Sequence, residues 1–200
     1  MDVVFNSIYA RACMGAGLAV LSGIRAFLPV AFLALYSRLE FHSAPVLDGT
    51  LFGFLEKTWV IALLLALAVI EVATEKLFVF SKIRDRIMQP VKMILGGVVF
   101  AAAMAPDGWI AMAVSGVLGF VIAGLADYVR RSTKRKAPTT ETAPAILLSI
   151  YEDFAVLVGT LLFVLVPLIG VLVFAFLGLL VYRVQLMRNR KHKGLRILKG

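Results

Sequence analysis

Five ionisable residues stand inside apolar runs: Arg25 in LSGIRAFLPV, Glu71 and Glu75 in LAVIEVATEK, and Glu152 and Asp153 in LSIYEDFAVL. In the middle of a membrane-spanning helix each charge costs about 2.5–3.5 kcal/mol on insertion scales unless it is paired or faces a cavity. Glu71 and Glu75 are four apart and share a helix face, whereas the adjacent Glu152 and Asp153 point about 100° apart. Arginine stays protonated and presents a planar fork of donors, while carboxylates around it can be ionised or neutral. Such a set can bind a cation or a proton through Glu71, Glu75, Glu152 and Asp153, with Arg25 engaging an anionic group or tuning the acids. The same set can also be architectural, with Arg25 tying two parts of a bundle together.

Other chemistries find no support. Cys13 is the only cysteine, and His42 and His192 lie far apart, so neither a disulfide nor a metal site is expected. No serine or cysteine is paired with a histidine, and no glycine-rich phosphate loop is present. Adjacent carboxylates on a helix cannot flank one bond from opposite sides. The expectation is a protein that is not an enzyme and carries no metal or cofactor.

The elements that position these charges follow from hydropathy. Of 200 residues 61% are apolar, and the mean hydropathy is +0.94. An ordinary soluble domain has about half its residues apolar and about a quarter charged. Six runs approach the length of about 20 residues needed to cross a bilayer: 12–37, 58–80, 91–105, 108–129, 143–166 and 167–184. The fold class expected is all-α, a polytopic membrane helix bundle. The first ten residues carry no basic stretch and the first run exceeds a signal peptide's apolar part, so it reads as a retained span.

Basic residues set the orientation. With six spans, Arg11, the group Lys82, Arg84 and Arg86, the group Arg130, Arg131, Lys134, Arg135 and Lys136, and the tail from Arg183 to Lys199 share one face, against Arg38 and Lys57 on the other. Both termini are then expected in the cytoplasm, in a bacterial inner membrane. Lys76, Lys92 and Asp127 fall near cytoplasmic helix ends, where they are expected to reach the headgroups. The pI near 10 reflects this juxtamembrane charge, which attracts anionic lipid headgroups; no nucleic-acid motif accompanies it.

Small residues recur every fourth position, at Gly15, Ala19 and Gly23 in the first run and at Ala111, Ser115, Gly119 and Ala123 in the fourth. Such faces let helix backbones approach closely, within one chain or across a homodimer. Pro29 has no N–H to offer the Arg25 carbonyl, so a kink is expected there. Glu71 in the second run corresponds to Glu152 in the fifth, and Pro90 to Pro167. Two halves of three spans each would insert in opposite senses, as inverted three-helix repeats. The expected organisation is a first repeat over 1–106 with a long outer loop, a second over 107–185, and a basic tail over 186–200.

The stretches GIRAFLP, IEVATEKL, MQPVKMILG and LLSIYEDF, in this order, resemble the glycine-arginine-proline helix, the glutamate helix, the proline-initiated span and the late glutamate-aspartate pair of an uncharacterised bacterial membrane family, domain of unknown function 4126. The sequence departs from that pattern in the fourth span, where Asp127, Arg130 and Lys134 stand in place of a histidine followed by basic residues. The resemblance implies a membrane bundle and supplies no activity. From the residues, the expected function is transport or channel-like movement of an ion, small polar solute or lipid through a charged site between repeats. The alternative is a membrane scaffold whose intramembrane charges are structural.

Overall fold

The computed structural model describes residues 7–40, 44–76, 81–134 and 142–183, apart from 168, 171 and 174. The side chains of 75, 76, 81–86, 133, 134 and 142–149 lie outside that description, as do the basic loop 135–141 and the tail. Among the described residues there are helices and no strands. The helices are α1 (Ile8–Ile24), α2 (Phe27–Arg38), α3 (Thr58–Lys76), α4 (Ser81–Met104), α5 (Trp109–Lys134) and α6 (Thr142–Leu165), followed by helical residues between 169 and 183. Two stretches among the described residues, Ile87–Asp107, which is most of α4 with the turn after it, and Trp109–Ser132 in α5, are long and apolar enough to cross a membrane.

The run 12–37, expected as one span kinked by Pro29, is two helices. Arg25 takes an extended conformation (φ −127°, ψ 120°) while its N–H still bonds the Leu21 carbonyl at 2.9 Å. Pro29 is the third residue of α2, where a helix start leaves N–H groups unbonded, so its missing donor costs nothing. Breaking the helix one turn earlier avoids the ring clash that a continuous helix would suffer.

α1 is the central helix, and its small residues explain why. Gly15 packs on Phe100 and Ala103 of α4, and Gly23 on Ala123, Ala126 and the Asp127 amide of α5. Gly96 of α4 faces Ala123 and the carbonyls of Gly119 and Ala19. Behind α1, Gly17 lies against Phe163 and Gly159 against Leu21, which seats α6. Gly15, Ala19, Gly23, Gly119 and Ala123 are therefore consumed inside the chain, and the glycine faces offer no surface to a second copy. Ser115 is buried, and its hydroxyl donates to the Met112 carbonyl one turn back.

These contacts also set directions. α1 runs antiparallel to α4, and its first turn meets the α4–α5 turn, where Arg11 grips Asp107 through two N–H···O bonds of 2.5 and 2.9 Å. Arg11 and the 105–108 turn, expected on opposite faces, thus lie at one end of the bundle. Six spans counted from 12–37 as a single crossing had separated them. With Gly96 beside Ala19, Ser81 lies about 22 Å further along, well past the level of Arg25, which is only about 9 Å on. α3 can deliver the chain from Glu71, which touches Ala26, to Ser81 only by running toward that end. α2, whose Arg38 meets the Glu56 carbonyl and the Thr58 hydroxyl at the start of α3, is antiparallel to it. The chain therefore turns back at Arg25, and α2 runs beside α1.

The segment between α2 and α3 is ordered over 44–57. Leu47 and Leu55 are buried in the core, and the Glu56 carboxylate accepts the Ser37 hydroxyl at 2.5 Å and the Leu47 N–H at 3.1 Å. The outside of the bundle is apolar: Val117, Phe154, Leu172 and Leu179 are exposed, as are Trp59 (64%) and Trp109 (74%), near the starts of α3 and α5. Large apolar exteriors around buried charge are unusual for a monomer in water.

Gly96→Leu should destabilise the fold by about 1–3 kcal/mol or more, because the new side chain meets α5 backbone. Gly178→Ala, in a helix where a Cβ meets nothing within 4 Å, should cost no stability and add up to about 1 kcal/mol. Unfolding curves in detergent for the two variants check this pair.

Candidate functional site

The break between α1 and α2 exposes backbone that other helices must satisfy. The Glu71 carboxylate of α3 accepts the Ala26 N–H at 2.9 Å and the Phe27 N–H at 3.3 Å. Two of the first free N–H groups of α2 are thereby bonded, by an anion placed where the helix dipole favours one. The Arg25 guanidinium is paired with Asp153 of α6. Carboxylates from two different helices thus hold the two sides of the break.

Around it lie three further ion pairs at the same level. Lys92 of α4 meets Asp127 of α5 at 3.2 Å, and Arg131, one turn along α5, meets the other Asp127 oxygen at 2.7 Å while donating to Gln89 at 3.0 Å. Arg130 sends its Nε–H and an Nη2–H to one oxygen of Glu152, at 3.0 and 2.8 Å. Gly23, two residues before Arg25, touches the Asp127 amide, and Asp153 adjoins Glu152, so the groups form one layer across the bundle. If all are ionised, Arg25, Lys92, Arg130 and Arg131 balance Glu71, Asp127, Glu152 and Asp153.

The structure brings Arg25, Glu71 and Asp153 together at the break. Glu152 belongs to the same layer but turns to Arg130, as the angular separation of neighbours on a helix requires. The side chain of Glu75 lies outside the described residues. Lys92 and Asp127, expected to reach outward to headgroups, are instead 5% and 3% exposed. The glycine contacts that draw α4 and α5 together leave each as the other's nearest partner. Arg130 and Arg131 had been read as loop charges, Arg130 also as a departure from the family pattern; the four-residue spacing of Asp127 and Arg131 was the available signal. The role of the Ala26 and Phe27 amides had no signal, since it depends on where the helix breaks. Among the described residues no cluster of three or more His, Cys, Asp or Glu is placed to hold a metal ion.

Compared with known proteins, residues 12–186 match the model of a family described as Domain of unknown function (DUF4126). No curated protein and no solved structure matches the chain.

Asp127→Ala, which strands Lys92 in the interior, should cost about 3–5 kcal/mol of stability. Asp107→Ala, which breaks a partly exposed pair, should cost about 1 kcal/mol or less. Equilibrium unfolding of both in mixed micelles tests the ranking.

Proposed function

The chain belongs to the DUF4126 family, whose description carries no activity, and we propose from its residues that it is a small integral membrane protein moving an ion or small polar solute through the charged layer. The observation that carries this reading is the interrupted helix at Arg25, held by Glu71 and Asp153. Broken helices with charge at the break are how several secondary transporters build their sites. Protonation of Glu71 would weaken its hold on the Ala26 and Phe27 amides and free the start of α2. Asp153, whose side chain is 24% exposed, is the partner of Arg25 for which an entering cation competes. A change in either group biases the chain between a closed and an open layer.

In this proposal the layer lies toward the cytoplasmic side of a bacterial inner membrane, because α5 leads from it into the basic loop. Trp59 and Trp109 mark the opposite interface. Since Arg11 belongs to that opposite end, the start of α1 and the basic tail lie on different sides, a revision of the expected topology supported by the Arg11–Asp107 pair. The halves 1–106 and 107–185 are then inverted as α2, α3 and α4 against α5, α6 and the final helical residues, with α1 between them. Partners in this reading are the bilayer, anionic headgroups at the basic loops and tail, and a second copy meeting through a face other than the glycines. The scaffold alternative is favoured by the Lys92–Asp127 pair, whose side chains are nearly sealed from solvent.

In proteoliposomes the wild type should pass protons or monovalent cations. Glu71→Gln and Asp153→Asn should each lower that flux by at least about tenfold, equivalent to about 1.4 kcal/mol in a barrier, while eluting as folded protein. Full flux in both variants would overturn the transport reading; no flux in the wild type, with a co-purifying protein, is the scaffold result. For topology, Ser7→Cys in a Cys13→Ser background should react with an impermeant maleimide on intact cells, whereas Arg190→Cys should react only after permeabilisation.

A further inference from the structure

A cavity of about 320 Å³ lies between α1, α5, α6 and the final helical residues. Its walls are apolar, with Leu21, Ile24, Val129 and Leu177 among them, and Arg130 and Glu152 are its charged members. Phe176 stands at its rim and is exposed, so the cavity opens toward the apolar outside of the bundle rather than into the core. Its volume is at the lower end of the roughly 300–1,000 Å³ of small-molecule sites, which tend to be apolar with a few placed polar groups.

The charge at the mouth decides what fits. The final helical residues carry Val173, Leu177 and Leu180 along the cavity, and Arg183 follows Leu180 by one turn on the same side, exposed to solvent. Arg130 and Glu152 neutralise each other there, so Arg183 leaves the mouth with a net positive charge. An apolar slot ending in a cationic mouth complements an amphiphile with one chain and an anionic head. A head without a chain has no use for the walls, and a chain without a head none for the arginine.

We propose that this cavity is a lipid site that takes one acyl chain of a phospholipid whose head carries a net negative charge, with its phosphate beside Arg130 and Arg183. The site rests on the membrane placement given above but not on transport, so loss of flux and loss of lipid are separate results. The amphiphile sits against α1 and beside the Arg130–Glu152 pair of the charged layer.

The test is native mass spectrometry and equilibrium binding of the full chain in nonionic micelles doped with phosphatidylglycerol or phosphatidylcholine of identical chains. Phosphatidylglycerol should bind about fivefold more tightly, as expected for about 1 kcal/mol per basic side chain. Arg183→Gln, an exposed change that leaves the core intact, should abolish that preference. Val173→Trp should fill the slot and lower binding of both lipids at least about tenfold, whereas Leu179→Trp, exposed on the same segment, should not. Equal binding of the two lipids by the wild type, or unchanged preference in Arg183→Gln, overturns the headgroup assignment and with it the proposal. Equal lipid retention by Val173→Trp and the wild type overturns the placement of the chain. If Val173→Trp fails to fold, the Arg183→Gln comparison decides alone.

Discussion

The architecture depends on one carboxylate bonded to two amides. An unbonded N–H in apolar surroundings costs several kcal/mol, so a helix cannot be broken inside a bundle unless something replaces the lost partners. Glu71 does this for the start of α2. With that end satisfied, the chain can turn at Arg25, α2 can return beside α1, and α3 is fixed in register against α2. The turn also commits the Arg25 side chain to α6, since its own helix has ended where the guanidinium begins.

The second constraint is how closely backbones approach. Gly15, Gly23, Gly96 and Gly119 let α1, α4 and α5 approach so closely that an added Cβ would meet neighbouring backbone, alanine methyls or the Phe100 ring. That closeness makes Lys92 and Asp127 mutual partners, and it sets Asp127 level with the break in α1. Ion pairs in a dry interior return their desolvation cost only when geometry and further hydrogen bonds are good. Here the second Asp127 oxygen lies 2.7 Å from Arg131, which donates to Gln89, but accepts no hydrogen bond itself among the described residues. The layer is thus a consequence of glycine placement as much as of charge placement.

Much of this was legible in the sequence for physical reasons. Helical runs announce themselves by hydropathy, and small-residue faces by a four-residue period, because both properties are local. The acids at Glu71, Glu152 and Asp153 were likewise visible as charges in apolar surroundings. What could not be read was partner choice. Arg25 had several acids within plausible reach, and only the rotation of α6 assigns it Asp153 and leaves Glu152 to Arg130. The break was misread because Pro29 dictates that a helix must yield nearby without dictating whether it bends or stops; Glu71, forty-five residues away from Ala26, decides that. The position of Arg11 was missed for the same reason, since taking two helices for one placed the start of α1 at the other end of the bundle.

The ordered segment 44–57 gives the bundle an asymmetry. At the end where α2 meets α3, Leu47 and Leu55 pack beside Glu56, which is bonded to a hydroxyl and an amide, and the Arg11–Asp107 pair ties α1 to the α4–α5 turn. At the other end the helices are joined by four ion pairs between full charges. The two ends of the described bundle thus draw on apolar packing and on charge pairing in different proportion, so conditions that weaken charge pairing strain one end more than the other.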